Sequence, residues 1–155
     1  MSDHLTKDAR SNNMRKIRNK DTKPELFVRK YLHARGFRYT ISNKKLPGKP
    51  DIVLSKYKTV ILVHGCFWHR HSCRKGKSVP KTNKEKWLIK FDKNKRRDQF
   101  VNQQLLNLGY RVILIWECAI NKSADSTANR IVEILKTGTF KTEIVEVELS
   151  TTEEV

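Results

Sequence analysis

The sequence predicts an α/β layer fold, in which helices cover both faces of a mixed central sheet. Two apolar runs carry this prediction, T-V-I-L-V (59–63) and R-V-I-L-I-W (111–116), and neither alternates with polar residues. Strands without alternation are typical of sheets that are buried on both faces. A long helical pattern separates the runs, which favours a parallel pair joined by a crossover helix. A chain of 155 residues is long enough for one such domain.

The first helix is expected over residues 23–35. Thr22 and Glu25 have the spacing of a capping box, in which two side chains satisfy free N–H groups at a helix start. Pro24 lies in the first turn, where its missing N–H costs nothing, and Gly36 is suited to end the helix.

A strand, a turn and a hairpin are expected next. Residues 37–42 read as the strand and L-P-G-K-P (46–50) as the turn. The apolar runs 51–54 and 59–63 are joined by only S-K-Y-K, which predicts an antiparallel hairpin.

The second half of the chain predicts the long crossover helix, the strand 111–116 and a last helix. Thr82 and Glu85 form a second possible capping box, and Gly109 is suited to end the long helix near Leu108. Its expected core stripe is Leu88, Phe91, Leu105 and Leu108. The last helix is expected over 126–136.

The two ends of the chain differ from its middle. Residues 1–20 are polar and basic and are expected to form a flexible arm that orders on a partner. Residues 142–155 alternate apolar and acidic side chains, which suits either an edge strand or a disordered acidic tail. The division is therefore an arm at 1–20, a folded domain at 21–141 and an acidic tail at 142–155.

The charge of the chain points to nucleic acid. Its 33 basic and 16 acidic residues leave a formal net charge of +17. Five of the acids lie in 142–155, which has no Lys or Arg, so the first 141 residues carry +22 from 33 basic and 11 acidic residues. Such a body attracts polyanions, because neutralised phosphates release condensed counterions. No apolar run is long enough to span a membrane, and the N-terminus lacks an apolar signal core, so an intracellular location is expected.

Three cysteines and a histidine are candidates for a structural zinc site. If the strands 59–63 and 111–116 are parallel neighbours, Cys118 falls beside Cys66 and Cys73. Three thiolates and one imidazole make a closed tetrahedral zinc site. Spacing alone leaves open whether His69 or His71 is the fourth ligand, and in an extended loop both would face the same way. The alternative is three unrelated buried cysteines.

A second group of residues suits Mg²⁺. A tight hairpin turn places Asp51 opposite Leu62, near the Val63 carbonyl and His64. Carboxylate and carbonyl oxygens are the ligands that Mg²⁺ prefers, and a hydrated Mg²⁺ beside a histidine base can drive phosphodiester hydrolysis. Structural roles remain open for each residue: Asp51 can be a turn residue, His64 a buried core histidine and Glu25 a capping residue.

Adjacent aromatics follow the first cysteine. In an extended segment, Phe67 and Trp68 would point to opposite faces, so at least one would project from the core. Exposed aromatics in a basic protein can stack on bases or wedge between them. The alternative is that both pack over the metal loop. Trp87 and Met14 are similarly ambiguous.

Several motifs together resemble the very-short-patch-repair (Vsr) DNA mismatch endonucleases. They are A-R-S-N-N-M-R-K-I (9–17), L-P-G-K-P-D (46–51), H-G-C-F-W-H-x-H-x-C (64–73), W-L-x-K-x-x-K-N-x-x-R-D (87–98) and L-G-Y-R-V-I-L-I-W-E-C-A (108–119). With the helix of Glu25 they span residues 9 to 120 in the expected order. The resemblance implies a fold like that of the type II restriction endonucleases, a nuclease domain over 21–141, a structural Zn²⁺ and a catalytic Mg²⁺.

The resemblance also implies the reaction and its residues. The expected reaction is Mg²⁺-dependent incision of one strand, 5′ to the T of a T·G mismatch that arises when 5-methylcytosine deaminates. Asp51 and the Val63 carbonyl would bind Mg²⁺, His69 would be the base, Asp98 would orient it, and His64 and Glu25 would support the phosphate and metal-bound waters. The implied zinc ligands are Cys66, His71, Cys73 and Cys118. The implied DNA contacts are Met14, Phe67, Trp68, Trp87, Lys93, Asn94 and Arg97.

The resemblance also implies the partners: double-stranded DNA with a T·G mismatch, mismatch-repair proteins and a repair polymerase. The protein is expected to be a monomer in the bacterial cytoplasm. The sequence departs from the family at Val63, where Thr is expected, but a backbone carbonyl does not depend on the side chain. Two other functions remain open at this point. One is a related restriction-type nuclease that cuts matched sites, and the other is a zinc-stabilised DNA-binding module without catalysis.

Overall fold

A five-stranded mixed sheet forms the centre of the structure, a computed structural model that describes residues 6–9, 11, 21–41, 43–137 and 144–147. The strands follow one another across the sheet in chain order. They are β1 (Thr40–Ile41), β2 (Ile52–Leu54), β3 (Thr59–His64), β4 (Arg111–Trp116) and β5 (Ile144–Val147). Strands β1 to β3 pair antiparallel, and β3 to β5 pair parallel. The predicted mixed α/β architecture is confirmed.

Helices cover both faces of this sheet, as the apolar strands predict. The helices are α1 (Lys23–Ala34), α2 (Cys66–His69), α3 (Arg74–Lys77), α4 (Lys84–Asn107) and α5 (Glu117–Thr137). On one face, α1 and α5 pack around residues such as Ile61 and Ile113. On the other face, Leu105 of α4 and Cys66 pack against Val60 and the strand residues beside it. The described helices include none long and apolar enough to cross a membrane.

The hairpin of β2 and β3 has the predicted register. Ile52 pairs with Ile61, so Asp51 comes opposite Leu62 at the end of the hairpin. The turn is one turn of 3-10 helix at Ser55–Tyr57, followed by Lys58 at a φ of 49°. The β2–β3 pair thus delivers Asp51 to the carboxyl end of β3.

The parallel pairing of β3 and β4 is also confirmed. His64 pairs with Trp116, so the segments that follow the two strands leave the sheet side by side. Cys66 follows the first strand and Cys118 the second. Ligands commonly gather at this edge of an α/β sheet, and the candidate site residues lie there.

Neither of the two helices with a predicted capping box has a hydrogen bond from the side chain of its N-cap residue, and the N-cap of the long helix is Asn83 instead of the predicted Thr82. At α1, the Thr22 hydroxyl donates to Glu25 Oε1 (3.2 Å) and therefore does not cap the helix N–H groups. The long helix begins at Lys84, after Asn83 at a φ of 56°, and has no side-chain cap. The predicted C-terminal ends of these two helices agree with the structure: Gly36 and Gly109 both have a φ of +86°, the left-handed conformation that ends a helix.

Other boundaries also differ from the predictions. The predicted strand 37–42 is reduced to two residues within the described chain. Of the predicted α4 stripe, Phe91 and Leu105 are buried, whereas Leu88 and Leu108 are about half exposed because they lie off the buried face. Helix α5 begins at Glu117, nine residues before the predicted 126, but it breaks at Ser123, and the part after this break agrees with the predicted helix 126–136. Strand β5 lies within the predicted tail and pairs with β4, so these residues form the edge strand that was one of the two alternatives for the tail.

Candidate active site and metal centre

An open cleft of ≈ 850 Å³ lies at the carboxyl end of β3. The hairpin supplies one wall with Asp51, the end of β3 supplies Val63 and His64, and α4 supplies Asp98. Glu25 of α1 completes it. The fold therefore brings together all five predicted catalytic residues, since His69 also lines this cleft.

Asp51 is anchored to the neighbouring strand. Its Oδ2 accepts a hydrogen bond of 2.7 Å from the Val63 backbone N–H. Burial raises the pKa of Asp51 to about 6, although the Val63 N–H lowers it and the Glu25 carboxylate raises it further. The backbone thus engages one of the two carboxylate oxygens and fixes the group at the cleft wall. A single fixed carboxylate with room for water fits the oxygen-rich coordination of Mg²⁺.

Two histidines and an aspartate form the second feature of the cleft. The rings of His64 and His69 stack with centroids 3.8 Å apart and planes 10° from parallel. His69 Nδ1 lies 2.6 Å from Asp98 Oδ2, which is a short hydrogen bond between half-buried groups. Burial and the neighbouring His69 lower the pKa of His64 to about 3, so His64 is neutral near pH 7. Because it shares this hydrogen bond with His69 Nδ1, Asp98 can orient the His69 ring.

The same three side chains are arranged closely enough to hold a metal ion. Ligand atoms of His64, His69 and Asp98 all lie within 4.8 Å of one another. Two imidazoles suit zinc better than they suit magnesium, for which the Asp51 carboxylate is the better ligand. The geometry accommodates either a histidine base oriented by Asp98 or a transition-metal site.

Glu25 is buried at the cleft wall with 3% of its surface exposed. Its Oε2 accepts from the Asp21 backbone N–H (3.0 Å) and from Arg29 Nη2 (3.2 Å). The Thr22 hydroxyl donates to Oε1. Buried carboxylates of this kind need such partners, because an unpaired buried charge is costly.

The predicted zinc ligands converge beside this cleft. The ligand atoms of Cys66, His71, Cys73 and Cys118 lie within 4.8 Å of one another. Cys118 Sγ is 3.5 Å from His71 Nδ1, and zinc bonds of ordinary length at a tetrahedral angle separate sulfur from nitrogen by about 3.5 Å. Three thiols and one imidazole with this spacing fit a closed structural zinc site.

A short helix decides which histidine joins the cysteines. The loop does not have the extended form in which both histidines would face the same way. Residues 66–69 form α2, and Arg70 ends this helix at a φ of 58°. This left-handed residue turns the chain, so His69 faces Asp98 while His71 faces Cys118. Trp116 stacks on the His71 ring with centroids 4.4 Å apart.

The three thiols differ in their electrostatic surroundings. Burial raises the pKa of Cys66 and of Cys118. Burial acts in the same direction on Cys73, but the Gly76 N–H and the side chains of His71 and Cys66 overcome it and lower the pKa of Cys73 to about 7. Zinc binds thiolates, so a zinc ion at this site would release protons from the buried cysteines.

The predicted wedge aromatics form one cluster instead of pointing to opposite faces. Because α2 is helical, Phe67 and Trp68 both reach Trp87, with ring centroids 5.5 and 5.8 Å apart. Phe91 packs below them, and Lys90 Nζ lies 4.9 Å from the Trp68 ring centre. The three predicted aromatics are half-buried, so each keeps an exposed surface.

The remaining predicted DNA contacts are divided between surface and scaffold. Lys93 and Arg97 are exposed, and Arg97 also lines the cleft. Asn94 Nδ2 donates to the Trp68 carbonyl (3.2 Å), which ties α4 to α2. Met14 lies outside the described residues.

Comparison with known proteins places the chain among DNA endonucleases. The family model described as "DNA mismatch endonuclease Vsr" matches residues 2–75. The DNA mismatch endonuclease Vsr of Escherichia coli is 40% identical over 136 residues, which cover 88% of this chain and 86% of that protein. The chain belongs to the Vsr family. The type II nicking enzyme V.NmeAIP of Neisseria meningitidis, 49% identical, covers 88% of this chain and 98% of its own length, and V.XorIIP of Xanthomonas oryzae is 41% identical.

Two supporting residues of this Vsr-family chain escaped the sequence analysis. Glu117 Oε1 accepts from the Cys66 backbone N–H (3.1 Å) and from Lys75 Nζ (2.9 Å), so it holds the loop of Cys66 and Cys73 against the end of β4. Arg29 binds Glu25. The spacing of Glu25 and Arg29, one helical turn apart, is visible in the sequence, but their burial is not.

Proposed function

We propose that this Vsr-family chain is a DNA mismatch-repair endonuclease that nicks one strand, 5′ to the T of a T·G mismatch, by Mg²⁺-dependent hydrolysis. One observation carries the proposal. A backbone-anchored carboxylate, Asp51, lines the same cleft as a histidine that a second carboxylate orients, His69 with Asp98. A metal ligand and a positioned base in one cleft are the two parts that phosphodiester hydrolysis requires.

His69 is proposed as the base. With Nδ1–H donated to Asp98, the lone pair of Nε2 is available to a water in the cleft. The water oxygen bonds to phosphorus, its proton passes to Nε2, and the bond from phosphorus to the leaving sugar oxygen breaks. The stacked, neutral His64 then serves as a hydrogen-bond donor to the phosphate.

The two metals are proposed to have separate roles. Bound Mg²⁺ would neutralise phosphate charge and the charge that develops on the leaving oxygen. Asp51 and the Val63 carbonyl would hold it, and Glu25 would position its waters. Cys66, His71, Cys73 and Cys118 are proposed as ligands of a Zn²⁺ that fixes α2, which carries His69 and the aromatic cluster.

DNA recognition is assigned to the basic surface and the aromatic cluster. Phe67, Trp68 and Trp87 are proposed to wedge beside the mismatch from one groove, and Met14 from the other. Unstacking costs least at a mismatched step, which links the wedge to substrate choice. Lys93, Asn94 and Arg97 are proposed contacts, with the arm 1–20 as a further one and the tail 142–155 outside the nuclease domain 21–141.

A nicking assay on end-labelled duplexes tests this proposal. The duplexes differ at one position, as T·G, C·G or T·A, within varied flanks around a cytosine-methylation site, in Mg²⁺ and in EDTA. We expect cutting of the T strand alone, with T·G alone and with Mg²⁺ alone. Cutting of all three duplexes would instead support a restriction-type nuclease that acts on matched sites.

Asp51→Ala separates catalysis from binding. We expect this variant to bind mismatched DNA as well as wild type and to fail to nick it, because the metal-binding carboxylate is lost. Wild-type protein that binds DNA but nicks no duplex in Mg²⁺ would favour a zinc-stabilised binding module.

A further inference from the structure

A buried arginine on α1 lies behind the cleft. Arg29 has 8% of its surface exposed and follows Glu25 by four residues, which places both side chains on the same face of the helix. Arginine is seldom this buried unless it is paired with acids. The burial of Arg29 therefore predicts that its guanidinium is paired with acidic side chains.

The guanidinium of Arg29 bridges two carboxylates. Nη1 lies 2.7 Å from Asp21 Oδ1, and Nη2 lies 3.2 Å from Glu25 Oε2. The planar fork of an arginine can serve two acceptors at once, whereas the single ammonium of a lysine serves them less well. Among the described residues, no group accepts from the buried Nε of Arg29. Asp21 and Glu25 therefore hold the Arg29 side chain through its two terminal nitrogens, Nη1 and Nη2.

Glu25 needs this partner because of where it lies. It lines the cleft together with Asp51, and the two negative charges repel each other across it. Burial is the main cause of the raised pKa of Asp51, the Glu25 charge raises that pKa further, and the Arg29 charge lowers it. Among the described residues, Arg29 is the cation that pairs with Glu25, so its loss would leave a buried carboxylate near a second one without that pair.

We propose that Arg29 is a positioning residue for the reaction: its bridge to Asp21 and Glu25 holds the Glu25 carboxylate in place at the cleft wall, opposite Asp51. This inference rests on the proposed function, in which Glu25 positions water in the cleft. Arg29 itself lies behind Glu25, so its effect on turnover passes through that residue.

Kinetics of Arg29→Met and Arg29→Lys test the proposal on whichever duplex wild type cuts. Loss of a hydrogen bond between charged groups corresponds to a fall in kcat of roughly 10–100-fold for Arg29→Met, with KM for DNA changed by less than about threefold. Arg29→Lys should recover part of the loss, since lysine can reach one carboxylate. The matched control is Arg130→Met, which removes the same charge from an exposed pair with Glu133 and should leave kcat unchanged.

Epistasis shows whether the effect passes through Glu25. In a Glu25→Gln background, Arg29→Met should change kcat by less than about twofold, because the group that it positions is already altered. Equal losses in both backgrounds, unchanged kcat, or a loss confined to KM would each overturn the proposal. If Arg29→Met does not fold, the comparison of Arg29→Lys with Arg29→Lys/Glu25→Gln takes its place.

A structural readout is independent of activity. In crystals of metal-free Arg29→Met, or of Arg29→Lys if the first variant does not fold, the Glu25 carboxylate should leave its wild-type position. An unmoved carboxylate would overturn the proposal. If wild type cuts matched duplexes, the mismatch specificity fails while the Arg29 comparison proceeds on the matched substrate.

Discussion

Asp98 provides the sharpest test of the proposed base. Its Oδ2 lies 2.6 Å from His69 Nδ1, and the two side chains are 20% and 21% exposed. A hydrogen bond to a charged group contributes about 1.5–3 kcal/mol. The bond becomes stronger when His69 accepts the proton of the attacking water, because a carboxylate then faces an imidazolium. Its contribution is therefore greater in the transition state than in the ground state.

Asp98→Asn keeps the shape of the side chain and removes its charge. At about 1.36 kcal/mol for each factor of ten, we expect the single-turnover nicking rate to fall by roughly 10–150-fold. The affinity for DNA should not fall, since the substitution removes a negative charge from a cleft that receives phosphate. Rates on a T·G duplex and equilibrium binding at several salt concentrations measure the two quantities.

Asp92→Asn is the matched control on the same helix. Asp92 pairs with Arg96 at 3.1 Å and is 58% exposed, so the control makes the same charge change outside the cleft lining. It should leave the rate within about twofold of wild type, as exposed ion pairs contribute little. Equal rates for Asp98→Asn and Asp92→Asn, or equal losses of rate and affinity in Asp98→Asn, would refute the role of Asp98 as the orienting partner.

Three further predictions concern the scaffold and the wedge. Cys118→Ser should lower the zinc content from about one per chain and destabilise the fold; a fully folded, metal-free protein would contradict the ligand set, and two zincs per chain would favour the second site at His64, His69 and Asp98. Gly48→Ala should lower the free energy of unfolding by about 1–3 kcal/mol more than Gly36→Ala, because a Cβ at Gly48 would clash with Val101 Cγ1 whereas a Cβ at Gly36 would have nothing within 4 Å. Equal free energies of unfolding for the two variants would refute this. Phe67→Ala/Trp68→Ala should suppress nicking of T·G duplexes, and unimpaired nicking would remove the wedge from the proposal.

The framework of the site follows from rules that act over short stretches of sequence. The tight turn after Leu54 sets the hairpin register, and that register brings Asp51 to the Val63 N–H. The apolar runs define β3 and β4, and their parallel pairing brings Cys118 to Cys66. Residues far apart in the chain could therefore be placed together before the structure was known.

Details set by single backbone conformations could not be predicted. The separate directions of His69 and His71 depend on Arg70 at a φ of 58°, a conformation that arginine adopts only when its surroundings impose it. The break in α5 depends on Ser123 in the same way, since nothing in its periodicity marks the position. The burial of Arg29 and Glu25 depends on the packing of α1 against the sheet, which spacing alone does not reveal.

Helix α2 connects the candidate zinc ligands to the cleft. Helix α2 has only four residues, too few to be stable alone, yet it carries a proposed zinc ligand at one end and the proposed base at the other. Its position depends on contacts at both ends: the Cys66 N–H donates to Glu117 Oε1, and His69 binds Asp98 on α4. A metal that fixes Cys66 and His71 therefore also fixes the ring of His69 and the aromatic surface between them. The proposed structural zinc thus contributes to catalysis through the position of the base, although it lies outside the reacting atoms.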